Sequence, residues 1–352
     1  RSPTSASTPP GCWSSTSTGR TTPGPAIRNA RPTSRAPALW RSRLEAVGTT
    51  YSDGWTVEKR AANAHNRPGV FTTFIAYEWT SSPGDGIHLH RNVIFAGDDA
   101  PTPFTSVDSI KPEDLWAYLD RTRASGNDVL AIPHNSNFSD GRDFDWYMSD
   151  GKPINAMYAL QRSLNEPLVE IAQNKGSSET APDLSASDEF ANFEIMDHIY
   201  VGETEAVHKG GYVRQGLGRG LVAQARTGAN PFKMGFVGAS DFHNALSASD
   251  ENAFAGGANS IDASTMLPGN DRAREALDMT GLSKVIRPNG QRENDPLQYS
   301  SAAITGVWAE ENTRASIFAA LKRRETFATS GTRIRVRMAA ARQQQQRAHV
   351  PH

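Results

Sequence analysis

GFVGASDFHNAL, Gly235 to Leu246, is the stretch on which the reading of the fold turns. Met234 to Ala239 is short, apolar and closed by small residues, the pattern of a buried strand of about six residues. Side chains alternate along an extended chain, so Asp241 and His243, two apart, project together from its end. A carboxylate and an imidazole aimed at one point suit a divalent metal. Where strands run parallel, in open sheets or barrels, ligands collect at the carboxyl ends of the strands, which is where this pair falls. The competing reading is a turn with a capping Asp241 and a surface His243. What separates the two is whether further metal-ligand side chains stand at other strand ends.

Working outward, Tyr212 to Arg226 reads as the preceding helix, with Val213, Leu217 and Leu221 inward. Before it, Leu168 to Ala172 is an apolar strand carrying Glu170 and leading into Gln173, Asn174, Lys175 and a Gly-Ser-Ser turn that ends at Glu179, which resembles an anion cradle. Ser185 with Asp188 has the form of a capping box for a helix over Phe190 to Met196. Toward the N-terminus, Phe71 to Thr80 is rich in β-branched and aromatic residues and predicts a strand with Glu78 near its end. His88 to Ala96 predicts another, opening with His88 and His90 on one face. Pro112 to Ser125 is a helix with Pro at its start and acids in its first turn. Val129 to Pro133 follows as a short apolar strand and runs directly into His134 and Asn135. That helix-then-strand step is the alternation that implies parallel strands. Pro153 to Ser163 is a further helix, Glu251 to Gln298 an irregular surface excursion, Thr313 to Glu325 an amphipathic helix, and Phe327 to Arg337 the closing segment.

The chain has 352 residues, with 37 basic and 38 acidic side chains and a formal net charge of −1. Nothing in that balance calls for nucleic acid or an anionic membrane as partner, so any anion binding is local. The single cysteine, Cys12, excludes an internal disulfide framework and a cysteine-rich zinc site. No run approaches the roughly 18 apolar residues of a membrane span, and no apolar signal core opens the chain. This reads as a soluble protein. The compartment stays open, cytoplasmic or, if the true N-terminus lies elsewhere, secreted or periplasmic. The oligomeric state is open as well.

Residues 1–39 are dominated by Ser, Thr, Pro, Arg, Ala and Gly; the first acid is Glu45 and the first lysine Lys59. Such a segment does not build a core, and it reads as disordered or as sequence foreign to the domain. Residues 338–352 form an irregular tail of similar texture. The domain proper is expected over residues 40–337.

Polar residues at the predicted strand ends are Glu78, His88 or His90, His134, Glu170 or Glu179, Asp241 and His243. Oxygen and imidazole ligands without thiolates suit zinc, manganese or iron, and a bridging carboxylate suits more than one ion. Metal there would acidify a water and neutralise the oxyanion of an ester under attack. Arg91 and Lys175 are candidate clamps for that oxyanion. Each residue also has a plainer reading, Glu78 satisfied by backbone amides, Glu170 in a buried ion pair, and Arg91 and Lys175 in ordinary salt bridges.

The segments FTTFIAYEWTSSPGDGIHLHRNVIF, AIPHNSN, EPLVEIAQNKGSSE, DEFANFE, NPFKMGFVGASDFHN and GVWAEENTRASIFAALKRRETFATSGTRI, in this order, resemble the PHP superfamily, the polymerase and histidinol phosphatase type of metal-dependent phosphoesterases. Within it the chain most resembles a bacterial PHP-like family of unknown function. The resemblance covers about residues 65–337 and implies a distorted (β/α)7-type barrel with two or three divalent ions at the strand ends. By position it makes Glu78, His90, His134, Asp241 and His243 the metal ligands. It leaves Arg91, Asn135, Lys175 and Glu179 to orient a small anionic phosphate, phosphonate or sulfate ester. The superfamily's opening His-x-His and Thr-Asp-His motifs have no counterpart, since residues 1–64 hold no histidine. Fewer ions than in the intact site are therefore expected, and a catalytically defective scaffold is the alternative to a hydrolase.

Overall fold

The computed structural model describes residues 51–84, 86–196, 207–241, 303–330 and 334–337. The low-complexity start at 1–39, the tail at 338–352, the excursion at 251–298 and His243 lie outside the described residues.

The chain opens with helix α1 (Tyr51–His65) and strand β1 (Ile75–Trp79), then β2 (Arg91–Phe95), helix α2 (Pro112–Ala124) and β3 (Val129–Pro133). A 3-10 turn, Ser136–Phe138, leads to α3 (Ala156–Asn165), β4 (Leu168–Gln173) and the short β5 (Gly176–Ser177). Helix α4 (Val213–Thr227) and β6 (Gly235–Gly238) follow. The described chain closes with β7 (Ala303–Val307), α5 (Arg314–Arg323) and β8 (Thr326–Ser330).

These strands do not form the expected (β/α)7 barrel. Among the described residues there are three small sheets and no closed barrel: β1-β2-β3, all antiparallel; β5-β4-β6, mixed; and the antiparallel pair β7-β8. Only β4 and β6 pair in parallel, with α4 between them. The reason lies in the connections. No helix separates β1 from β2, so their pairing is antiparallel, whereas a parallel pair needs a long crossover. Between β2 and β3 a helix is present, but the long segment at 96–111 lets the chain return alongside β2 in the opposite sense. A helix before a strand therefore did not fix strand direction here. The expected helix at 190–196 is also a series of turns. There the Asp188 carboxylate accepts the Phe190 N–H at 2.9 Å and pairs with Arg214, and Phe190 and Phe193 are exposed, so no core rewards a helix.

The register of the first sheet divides its residues between two cores. Ile75 pairs with Phe95, Tyr77 with Val93, and these with Val129 and Ala131. Paired residues share a face, and this one packs under Leu115, Trp116 and Leu119 of α2 and Trp55 of α1. Trp55 stands edge-on to Tyr77 at 5.8 Å, and its indole N–H reaches the Pro101 carbonyl at 3.0 Å. The opposite face, with Ile94, Leu130 and Ile132, packs on Leu168 of β4, Val237 of β6 and Phe318 and Leu321 of α5. Val169 and Phe236 point away from it into a third core with Phe144, Val213 and Phe232. Both sheet faces are covered, so the strands read as apolar runs.

The third sheet is tied on through Gly238. Thr305 Oγ1 donates to the Gly238 carbonyl at 2.7 Å and accepts its N–H at 3.0 Å. A Cβ at Gly238 would stand 2.6 Å from the Ala303 Cβ, so the approach of β7 requires glycine.

Candidate metal centre

Glu78 is opposite Asn92 in the register, so its side chain shares the face of residues 90, 92 and 94. Arg91 pairs with Pro133, which sets His90 beside His134, and the His134 N–H reaches the His90 carbonyl at 3.3 Å. Three neighbouring strand ends thus deliver a carboxylate and two imidazoles to the polar end of the face whose apolar part is Ile94, Leu130 and Ile132. Glu78 Oε1 is 2.8 Å from His90 Nδ1 and 3.6 Å from His134 Nε2. His88, two residues before His90 and on the same side, stacks on it with ring centroids 4.2 Å apart. Phe138 closes the far side of His88, edge-on at 5.2 Å.

Across from these stands the second sheet. Glu170 shares the face of Leu168 and so turns toward the histidines; its carboxylate accepts a hydrogen bond from the Asn135 backbone. Asp241, in the left-handed region at φ 54°, is gripped by the Lys175 ammonium and by Gln173 Nε2, the latter at 2.8 Å. The segments after β3 and β4 are stitched together: Asn137 Nδ2 donates to the Lys175 carbonyl at 3.1 Å and Ser178 Oγ to Asn137 Oδ1 at 2.8 Å.

Electrostatics set these groups apart. Burial works to raise the Glu78 carboxyl, but His134 and His90 beside it outweigh burial and hold it well below the usual carboxylate range. Burial, with the positive neighbours His90, Lys175 and His134, pushes the His88 imidazole down to about 3. Burial also lowers His90 against the pull of Glu78. For His134 burial is overcome by Glu78, Glu170 and Asp241, and its value is raised. Burial raises Glu170 to about 7, with the Asp241 charge adding to it. Opposed shifts among neighbouring acids and bases recur at functional sites and in structural ion-pair networks alike.

Of the nine residues expected at the site, Glu78, His90 and His134 come together, and Asn135, Lys175 and Asp241 line the facing side. Arg91 does not join them. It starts β2 facing the other way, buried, with Nε on Glu166 Oε1 at 3.0 Å and Nη2 on Asp143 Oδ1 at 2.7 Å. Adjacent residues on a strand point to opposite faces, so a ligand at His90 excludes a clamp at Arg91. Glu179 sits on the rim, half exposed and paired with Arg214 at 2.5 Å. Two residues were under-read: His88, visible from its two-residue spacing to His90, and Glu170, visible from its parity with Leu168.

The donor set fits a divalent ion. One ligand atom from each of Glu78, His90 and His134 lies within 4.8 Å of the others, a spacing that two metal-ligand bonds of about 2.0–2.2 Å nearly span. Nitrogen and oxygen donors without sulfur suit zinc, manganese or iron. His90 Nε2 and His134 Nδ1 are buried without hydrogen-bond partners.

Fold and site together define a protein of helices and small antiparallel and mixed sheets with a carboxylate-imidazole cluster between two of the sheets. A family model, Protein of unknown function (DUF3604), matches residues 17–350, and the chain belongs to that family. No curated protein and no solved structure matches it. No helix among the described residues is long and apolar enough to cross a membrane.

Proposed function

We propose that the chain is a metal-dependent hydrolase of small anionic esters, with Glu78, His90 and His134 holding a divalent ion and Asp241 beside them as a further ligand. The observation that carries this reading is the convergence of one carboxylate and two imidazoles, from three strand ends, on a single buried point. A zinc, manganese or iron ion there supplies Lewis acidity toward an ester oxygen and acidifies a water. The protein's own groups do the rest. Glu78 keeps its charge and stands 2.8 Å from His90 Nδ1 and 3.6 Å from His134 Nε2, so the carboxylate and these two nitrogens are the atoms that would turn to one ion. Lys175 sets a positive charge opposite the histidines, where an ester anion gains from it. The superfamily resemblance of the ordered motifs supports the same chemistry and is part of this proposal; a barrel is not.

The test is metal analysis of the full chain after zinc or manganese loading, with assay of aryl phosphate, phosphonate and sulfate esters. The chain is expected to retain metal and to hydrolyse at least one ester class. Glu78→Gln should lose metal retention, and with it the metal-dependent rise in stability, about 2.7 kcal/mol at a hundredfold excess over Kd. A wild-type chain with neither metal nor turnover is the outcome of a non-catalytic scaffold and sinks the proposal.

A further inference from the structure

The facing side of the cluster holds more polar atoms than the protein itself satisfies, and their kind is informative. Asn135 and Asn174 are both fully buried, and in each the amide Nδ2 and the carbonyl Oδ1 lack a hydrogen-bond partner. Glu170 Oε1 and Ser136 Oγ, also buried, share that condition. These residues belong to one ledge. Asn135 follows His134 and its backbone binds Glu170; Asn174 follows Gln173, and its N–H reaches the Ser240 carbonyl, at 3.4 Å, next to Asp241. The Asn137 bonds to Lys175 and Ser178 lock the two segments side by side.

Each unsatisfied buried polar group costs on the order of 1–3 kcal/mol, and native proteins carry few. Asn135 holds φ 55°, the left-handed region that asparagine adopts more readily than most residues. A bare tetrahedral oxyanion would not relieve this ledge. It only accepts hydrogen bonds, so it could serve the two Nδ2 groups but would leave Asn135 Oδ1 and Asn174 Oδ1 facing like partial charge. Those two acceptors call for donors. Alcohol hydroxyls donate and accept at once and match a ledge on which both kinds of group are unmet.

Resting on the hydrolase reading above, we infer that the substrate is a hydroxylated anionic ester, such as a polyol or sugar ester, whose hydroxyl groups bind Asn135, Asn174 and Glu170 while its anionic group faces Lys175 and the Glu78-His90-His134 cluster. Asn135 and Asn174 then determine specificity for the alcohol part.

The experiment uses the zinc-loaded full chain and three probes: inorganic phosphate, methyl phosphate and glycerol 2-phosphate. Binding is read by calorimetry, or as kcat/KM where a probe turns over. Glycerol 2-phosphate is expected to be preferred over methyl phosphate by about tenfold or more, the worth of one or two added hydrogen bonds. Asn174→Ala, and Asn135→Gly chosen to keep the left-handed backbone, should each reduce that preference toward unity. Zinc content and phosphate affinity should stay at wild-type levels and Tm should not fall, because the lost amides bond to nothing in the protein and their removal relieves buried unpaired groups. No preference in the wild type overturns the inference while leaving the hydrolase reading standing. So does a loss of inorganic phosphate binding equal to the loss of glycerol 2-phosphate binding, which would assign the amides to the oxyanion. A marked fall in Tm in both variants overturns it in favour of a structural role. A wild-type chain that retains no zinc overturns the hydrolase reading and this inference with it.

Discussion

His90 and Arg91 are neighbours in the chain, yet they belong to opposite faces of one antiparallel sheet and to two polar clusters built on different terms. Behind Arg91, charges are matched. Arg91 and Arg162 face Asp143 and Glu166, with Arg162 Nε 2.9 Å from Glu166 Oε2 and the Trp116 indole donating to Glu166 Oε1 at 2.8 Å. The Arg162 guanidinium also lies over Phe232, 4.8 Å from the ring centroid, and donates to the Asp143 carbonyl at 2.7 Å. Two cations meet two anions in a fully buried space, and burial is outweighed for both arginines by the acids beside them. In front of His90, three imidazoles gather at Glu78 with Glu170 and Asp241 also near His134, and ring nitrogens of His90 and His134 are buried without hydrogen-bond partners. The contrast is one of charge balance. The first cluster sets two cations against two anions, although Arg91 Nη1 and Asp143 Oδ2 lack a hydrogen-bond partner there too, whereas the second gathers imidazoles around Glu78.

The comparison is broken most forcefully at Glu166. Glu166→Ala leaves two buried guanidiniums short of a counter-charge, and a loss of about 3–5 kcal/mol is expected in urea unfolding. Because this network lies across the sheet from the histidines, the protein that remains folded should keep its metal affinity. A Glu166→Ala chain that is as stable as wild type but no longer binds metal would reverse the roles given to the two clusters.

His88 sharpens the contrast on the other face. Its value falls from 6.5 to about 3 in the fold, so between these limits the unfolded chain binds more protons than the native one. Stability contributed by neutral His88 is therefore lost as pH falls through this window. At 1.36 kcal/mol per unit the loss amounts to about 2 kcal/mol between pH 6.5 and 5. In His88→Asn the acid-side slope should flatten by that amount in pH-dependent urea titrations of the metal-free protein. An unchanged slope would mean that burial does not hold His88 neutral.

The smallest effect is expected on the rim. Glu179 and Arg214 are both about half exposed, and such pairs contribute about 0–1 kcal/mol. Glu179→Ala should leave both ester binding and Tm within that margin, in keeping with its place outside the cluster. A large rise in KM in this variant would restore Glu179 to the site.

Much of the local structure follows from pattern. The helix expected over Pro112 to Ser125 runs Pro112–Ala124, because a proline start, acidic first turn and one apolar face act within the segment. The strand at Val129–Pro133 is found as expected, since a short run bounded by polar turns has no other way to bury five consecutive residues. Residues 190–196 were misread because a capping motif is local, whereas a helix of that length stands only when a face of it is covered, and Phe190 and Phe193 are not.

What the sequence by itself determined is the chemistry at the ends of the strands. Glu78, the pair His88 and His90, and His134 are marked by residue type and by their place at the edge of apolar runs, features that need no knowledge of strand direction. What only the tertiary structure decided is which of the marked residues share a space. Parity on β2 sends Arg91 into the charge network and keeps His88 with His90. The antiparallel register, set by the connections and not by the strands themselves, brings His90 beside His134 and sets Glu78 against both. The physical reason is that a strand's side-chain alternation is local, while its pairing is a choice among all the edges the folded chain offers.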